Sequence, residues 1–345
     1  MRKLLVISIL ILSFVPFLTR KSDYVDVTSV INVSSICIDF DEENDNFSIY
    51  FYVLNNFNLA QAELSSSNVD TLAYITKIND KNFTDAFEKF RKISNVFVHY
   101  NHLRTVILTS KFASKIQNME LFYRFVRNNL DIYPTFYLFT TDCEVEEIFQ
   151  IKTFSDISAN FTLLINPKSS KTYELVTFID FIKTINIPNY TLKIPHIASA
   201  KETSSKQDEP YKSIILDGYT IFNINQPVIK IVEDELPYLH WLSELNNLSV
   251  SIGAYSIYIK EGKYKIKMQK NKTMITYKLS STIIRTSNDY INEESYTTLK
   301  NFIAKELEML YAYGREHDID LFNLKYLSQN DTLDDVEFIV KLDLN

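Results

Sequence analysis

Three side chains near the end of the chain could bind a metal or transfer a proton. They are His317, Asp318 and Asp320, in the stretch "EHDIDLF" at residues 316–322. Imidazole and carboxylate groups bind divalent transition metals, and a metal held in this way can activate a water molecule for hydrolysis. One function open to the chain is therefore that of a metal-dependent hydrolase.

Regular backbone does not bring these three side chains together. In a strand His317 faces away from both aspartates, and in a helix Asp318 points away from the other two groups. An apolar helical stripe leads up to Gly314, a residue suited to a helix end or a close backbone approach. We predict that a helix stops here, with Arg315 and His317 at the negative end of its dipole, and that Asp320 is structural.

Two further stretches hold histidines that could form a site. His99 and His102, in "HYNH", would share one face of a helix and could hold a metal with further ligands. The surrounding pattern favours strand, turn and strand, so we interpret both as packing or hydrogen-bonded residues. His240 and Trp241 could form an aromatic ligand surface, but we favour a small packed helix there.

Motifs typical of enzymes are absent from the sequence. Only four glycines occur, which excludes most glycine-rich phosphate loops. The patterns G-x-S-x-G, H-E-x-x-H and C-x-x-C, which mark common hydrolases, metalloproteases and redox proteins, are also missing. We therefore predict a protein that is not an enzyme, with no catalytic residues, no metal site and no cofactor.

Composition and charge indicate a globular protein that does not bind nucleic acid. The chain has 345 residues, 46% of them hydrophobic, and a formal net charge of −7. A phosphate backbone is bound by clustered Lys and Arg, and the most basic stretch, residues 260–272, has the alternation of a strand with one solvated face. Cys37 and Cys143 are predicted to be small buried residues, although a single disulfide between them stays open.

The first 21 residues carry a targeting signal. Arg2 and Lys3 precede an apolar run at residues 4–18, and Arg20 and Lys21 follow it. The run has the length of a signal-peptide core and is short for a membrane span. Since an A-x-A-like cleavage site is missing, residues 1–21 are predicted to be either a signal peptide or an N-terminal membrane anchor. The rest of the chain would then lie outside the cytoplasm.

Apolar periodicity divides the remaining chain into several units. Alternating strands and helices predict an α/β domain at 22–197, followed by a polar linker at 198–212. A small module at 213–248 would contain a hairpin turn at Asp217–Gly218. Residues 249–345 predict an α+β domain with an antiparallel meander, a long helix and a closing strand at 336–344.

Residue types and spacing predict two helix starts and the apolar face of the long helix. Thr141 and Glu144 have capping-box spacing at the start of a helix. Asn292 is a candidate N-cap of the long helix. The apolar stripe of that helix consists of Leu299, Phe302, Ile303, Leu307, Leu310 and Tyr311.

Five segments, in order along the chain, resemble the Ger(x)C family of spore germination proteins, the C subunits of bacterial nutrient germinant receptors. The segments are "ICIDFDEENDNFSIYFYVLN", "DAFEKFRKISNVFVHYNHLRTVILTSKFASK", "LFYRFVRNNLDIYPTFYLFTT", "ILDGYTIFNINQPVIKIV" and "YTTLKNFIAKELEMLYAYGREHDIDLFNL". In these segments Asp39, His102, Arg127, Gly218 and Asp320 match family positions. Each segment is weak alone, and the order and spacing carry the resemblance.

This resemblance implies a fold and a role. The family has a three-domain architecture of mixed sheets covered by helices, with α/β and α+β parts and a long helix in the C-terminal domain. It lies on the outer face of a membrane, here the spore inner membrane, and acts with two integral membrane subunits, the A-type and B-type, without known catalysis. The five matched positions would be structural or would lie in interfaces.

The chain departs from the family pattern in three places. No Cys stands at the end of the apolar run, and Cys37 lies too far downstream, so the usual lipidation is not expected and an uncleaved anchor could replace it. The family's Trp-bearing stretch is shortened to "KYLSQNDTLDD", and the second Gly of the middle hairpin is replaced around Ile229–Ile231. The sequence thus favours a diverged receptor subunit; the alternative is a secreted or surface protein that binds a small ligand and shares only the fold.

Overall fold

The computed structural model describes residues 30–54, 73–151, 173–206, 209–223, 226–252, 255–269, 272–286, 293–328 and 336–344. The predicted signal or anchor segment 1–21 and the predicted N-cap Asn292 lie outside these ranges.

A large mixed sheet occupies the first two thirds of the chain. Its order is β10-β9-β8-β6-β5-β1-β2-β3, with β4 beside β1 and β7 beside β6. The centre of the sheet is parallel: β1 pairs with β5, β5 with β6, and β6 with β8. The outer pairs β1–β2, β2–β3, β8–β9 and β9–β10 are antiparallel. The strands are β1 (Val30–Asp41), β2 (Asn46–Leu54), β3 (Ala73–Asp80), β4 (Phe97–His99), β5 (Thr105–Thr109), β6 (Tyr137–Thr141), β7 (Val176–Thr177), β8 (Leu192–Lys206), β9 (Glu209–Asn223) and β10 (Gln226–Ile231).

Helices with one apolar face cover this sheet. They are α1 (Phe83–Ser94), α2 (Ser110–Ala113), α3 (Ile116–Asn128), α4 (Val145–Gln150) and α5 (Phe178–Thr184). Helix α1 starts because the Asn82 side chain accepts a hydrogen bond from the Asp85 amide at 2.8 Å. Its buried Phe90 ring then stacks on Phe51 of β2 at 4.0 Å between ring centres, which fastens the helix to the sheet.

A second, smaller sheet forms the C-terminal part. Its order is β11-β12-β13-β14, in which β14 is parallel to β13 and the other pairs are antiparallel. A long helix packs against it, and its stripe is buried except that Phe302 is exposed and Tyr311 is half-buried. The elements are a 3₁₀ helix (Leu239–Leu242), β11 (Leu245–Ile252), β12 (Tyr255–Gln269), β13 (Lys272–Thr286), α6 (Glu293–Glu316), α7 (Leu324–Ser328) and β14 (Val336–Leu344).

The mixed α/β fold with a long C-terminal helix is confirmed, whereas several local predictions are wrong. Residues 198–212 do not form an irregular linker, because β8 and β9 extend into them as an antiparallel pair. Strand β9 also continues through Asp217–Gly218, with a shift of pairing register opposite His196, instead of ending in a hairpin turn there. Strands β9 and β10 belong to the large sheet, so the sheets do not separate a module at 213–248. The division into domains stays a prediction.

Two predicted helix starts also differ from the structure. Thr141 does not cap α4, because it still belongs to β6 and its hydroxyl donates a hydrogen bond to the Ile197 carbonyl at 2.9 Å. The small helix predicted around His240 and Trp241 is a 3₁₀ turn, Leu239–Leu242. Both cysteines are free, with Cys37 buried and Cys143 half-buried, so the disulfide alternative is wrong.

Candidate functional site

Buried polar side chains converge near the carboxyl edge of the large sheet, the edge at which β5 and β6 end. The Thr140 hydroxyl of β6 lies 2.5 Å from that of Thr220 on β9 and 3.2 Å from Nδ1 of His196 on β8. All three side chains are buried. Since unpaired polar groups are costly in the interior, this network fixes the positions of three neighbouring strands relative to one another.

An ion pair continues this network to the surface. The Asp142 carboxylate lies 3.7 Å from Nε2 of His196 and pairs with the Lys230 ammonium on β10. Burial lowers the pKa of His196, and the nearby Asp142 opposes this shift. Partial burial opposes ionisation of Asp142, but hydrogen bonds from Lys230 and Ser110 outweigh it and lower its pKa. The pair therefore carries opposite charges beside a neutral imidazole.

The order carboxylate, imidazole, hydroxyl is that of a proton relay, but the burial favours a structural role. A nucleophile must reach its substrate, whereas Thr140 is 0% exposed and its hydroxyl is already paired with Thr220. The network ties the edge strand β10 to the centre of the sheet. The sequence does not predict it, because Thr140 lies 56 residues from His196 and 80 from Thr220; the one local signal is a histidine inside an apolar strand.

Asp39 lies near the same edge and has a structural partner. Its carboxylate accepts a hydrogen bond from the Thr109 hydroxyl at 2.6 Å. Thr109 also accepts a hydrogen bond from the Phe112 amide at 3.3 Å and so caps α2. The matched family aspartate thus links β1 to the turn between β5 and α2.

Gly218 occupies a position that only glycine fits. Its φ is +109°, a region that L side chains rarely adopt. A Cβ atom here would stand 2.0 Å from the Ile231 carbonyl oxygen of β10. The Gly218 amide donates to the Tyr173 hydroxyl at 3.1 Å, and that hydroxyl donates to Glu233 at 2.5 Å. Gly218 therefore lets β9 and β10 approach each other.

The residues of "EHDIDLF" do not converge on a metal site. Helix α6 continues through Gly314 to Glu316, so the helix ends two residues later than predicted. The backbone does approach closely at Gly314, where a Cβ would lie 2.5 Å from the Ile319 carbonyl oxygen. His317 stacks on Tyr313 at 4.1 Å between ring centres. Within the ranges that the structure describes, no group of three or more His, Cys, Asp or Glu is placed to hold a metal.

Asp320 and its neighbours dock the C-terminal part onto β8. The Asp320 carboxylate accepts a hydrogen bond from the Lys325 amide at 2.6 Å, while Asp318 pairs with the Lys325 ammonium. Burial raises the pKa of Asp320, although backbone hydrogen bonds and two lysines oppose the shift. The buried Lys193 ammonium of β8 donates to the Leu321 carbonyl at 3.0 Å, and burial lowers its pKa.

The other two matched positions are exposed and lie at the amino edge of the large sheet, where β1, β5, β6 and β8 begin. His102 lies in the turn between β4 and β5, and Arg127 lies in the last turn of α3. His99 precedes that turn in β4. The matched positions thus form two groups: Asp39, Gly218 and Asp320 hold the fold together, and His102 and Arg127 are accessible to a partner.

An open groove of about 630 Å³ lies between α1 and α3. Three phenylalanine rings and two arginines contribute to its lining, and both arginines already contact carboxylates, so it could accept a small ligand with an apolar part. Its lining includes Phe47, Phe83, Phe125, Leu121, Arg91 and Arg124.

The family model for the N-terminal domain of spore germination proteins matches residues 23–199. This match covers more than half of the chain and includes Asp39, His102 and Arg127. The chain belongs to the Ger(x)C family of spore germination proteins. No curated protein matches the chain. A solved structure described as the crystal structure of the GerBC protein is similar, with 12% sequence identity and a TM-score of 0.43, over 90% of this chain and 97% of that chain.

Among the described residues of this Ger(x)C protein, no helix has the length and apolar character to cross a membrane.

Proposed function

We propose that this Ger(x)C protein is a membrane-attached, extracytoplasmic subunit of a spore germinant receptor, acting in receptor assembly and signalling and not in catalysis. The family match over residues 23–199 carries this proposal. The arrangement of the matched positions supports it, because His102 and Arg127 are exposed, as residues of an interface must be in the free subunit. The partners would be the A-type and B-type integral membrane subunits.

Attachment to the membrane would come from residues 1–21, retained as an anchor. The apolar run between Arg2–Lys3 and Arg20–Lys21 has no Cys at its end that could be lipidated. Cells fed a labelled fatty acid should therefore yield an unlabelled protein that still sediments with membranes. A labelled protein would instead show that another route of lipidation exists.

Germination of spores that lack the gene tests the proposed role. Such spores should respond to a nutrient germinant slowly or not at all, measured by the fall in optical density. The full chain should restore the response, and a chain without residues 22–199 should not. The proposal would be contradicted if spores that lack this gene, and also lack every other germinant receptor, germinated normally.

The groove between α1 and α3 favours a second candidate function, that of a secreted or surface protein that binds a small ligand. Its volume of about 630 Å³ lies within the range of small-molecule sites. In that case the purified chain would bind a ligand without any partner, and a Leu121→Glu variant would lose this binding. Under the receptor proposal, deletion of the gene changes germination whether or not the isolated chain binds a ligand.

A further inference from the structure

Large apolar side chains are exposed together at the amino edge. Ile93 in the last turn of α1 is 62% exposed, Phe97 in β4 is 66% exposed, and Leu130 and Tyr133 before β6 are 92% and 57% exposed. The Arg91 guanidinium contacts the Asp131 carboxylate at 2.9 Å and so holds the α1 end beside the loop that carries Leu130. Single exposed apolar residues are ordinary, but a group at one edge marks an interaction surface.

The same edge continues across the sheet to the C-terminal part. Tyr326 and Leu327 of α7 are exposed, and the Tyr326 ring lies 5.2 Å from that of Tyr190. Tyr190 stands two residues before β8 begins at Leu192. Since β8 is parallel to β6, α7 lies near the edge at which Leu130 and Tyr133 precede β6.

Exposed cations accompany these apolar groups. Lys92 lies in the last turn of α1, Arg127 in the last turn of α3, and Arg104 directly before β5. All three are exposed, whereas the acidic Asp131 is paired with Arg91. Tyrosine, phenylalanine and basic residues together suit the headgroup region of an anionic membrane.

The path of the chain brings this edge close to the predicted anchor. Strand β1 begins at Val30 and pairs there with Phe97 of β4. Only residues 22–29 separate Val30 from the segment 1–21, and eight residues span at most about 28 Å. An anchor in the bilayer would therefore hold the amino edge, and not the carboxyl edge, within reach of the lipid surface.

We infer that the amino edge is the face that this protein lays on the lipid surface. Phe97, Leu130 and Tyr133 enter the headgroup region, and Lys92 and Arg104 contact anionic headgroups. The inference rests on the proposed function in that it assumes an anchor at residues 1–21. It adds an orientation, which anchoring alone does not provide.

Fluorescence quenching by lipid tests this orientation. The full chain is inserted into vesicles of phosphatidylglycerol and phosphatidylethanolamine with brominated acyl chains, and its emission is compared with that in unbrominated vesicles. Trp241 is buried and gives a constant background. The matched variants are Phe97→Trp at the amino edge and Ile215→Trp, which is 39% exposed and lies about 30 Å away along the strand direction by strand register. The added emission of Phe97→Trp should fall at least twofold, and that of Ile215→Trp should not change.

The possible results distinguish the orientation of the amino edge from attachment to the membrane. If the chain floats with the vesicles but Phe97→Trp is not quenched, the orientation is wrong and membrane attachment stands. If the chain does not float with the vesicles, the attachment itself is wrong and the orientation falls with it. Quenching of Phe97→Trp that appears only with integral membrane subunits present would assign the amino edge to a protein partner and also overturn the inference.

A charge reversal separates lipid contact from a chance approach. Arg104→Glu, introduced into the Phe97→Trp variant, should reduce the quenching in vesicles rich in phosphatidylglycerol. The reason is that a glutamate repels the anionic headgroups that the arginine attracts. Lys111→Glu is the control, since Lys111 is exposed on α2 at the carboxyl edge. Equal effects of the two substitutions would contradict direct contact at the amino edge.

Discussion

At the scale of single residues, Gly218 shows how a matched family position acts through the backbone. We predict that Gly218→Ala lowers the free energy of unfolding by roughly 3 kcal/mol or more, because the new Cβ would meet the rigid Ile231 carbonyl at 2.0 Å and the φ of +109° is strained. Gly262→Ala is the control, since its nearest contact is the end of the Leu279 side chain. Urea unfolding of both variants measures the difference, and equal losses would contradict this explanation.

His240 makes stability depend on pH. Burial lowers the pKa of His240 to about 4, whereas an unfolded histidine titrates near 6.5. Between these values the unfolded chain binds a proton that the folded chain does not, so stability falls as the pH falls from 6.5 to about 4. His240→Phe replaces the imidazole, which lies 4.8 Å from the Trp241 ring, with a ring that does not titrate, and should make this loss smaller by roughly 3 kcal/mol.

Urea unfolding at pH 7 and pH 4 measures the effect of His240→Phe. His102→Gln serves as the control, because it removes an imidazole from an exposed position and leaves His240 in place. A His240→Phe variant with the pH dependence of the unchanged protein would show that this imidazole is not the source.

At the scale of elements, the capping box of α5 gives a local test. The Thr177 hydroxyl accepts a hydrogen bond from the Asp180 amide at 3.2 Å, and the Asp180 carboxylate accepts one from the Thr177 amide at 3.1 Å. We predict that Thr177→Ala lowers the free energy of unfolding by about 1 kcal/mol. Thr84→Ala, at an exposed position of α1, should change it by much less; a comparable loss there would contradict the capping explanation.

Elements with a local apolar pattern were predictable from the sequence. Strand β14 matches the prediction at 336–344, and α6 buries most of the apolar stripe predicted for the long helix. The antiparallel pair at 198–212 was not predictable, because its polar residues have no apolar period and its order comes from backbone pairing such as Lys201 with Lys212. The hydrogen bonds of Thr140 and the close approach at Gly218 also depend on partners distant in sequence, which local patterns do not contain.

At the scale of the whole molecule, the two sheets are joined by contacts that the sequence did not reveal. Lys193 of the large sheet donates to Leu321, and the Thr191 amide donates to Asn323 at 2.6 Å, both in the loop after α6. Asp320 shapes this loop from within. The matched aspartate near the C-terminus therefore orders the loop through which the C-terminal part contacts the N-terminal sheet.

Purification of the tagged full chain from spore membranes tests whether this protein belongs to a receptor in the spore membrane. The matched control is the same chain without residues 1–21. Mass spectrometry should find the A-type and B-type integral membrane subunits with the full chain, at levels near one to one, and much less of them with the truncated chain. A full chain that is recovered without either subunit, in spores that contain both, would show that this protein does not belong to such a receptor.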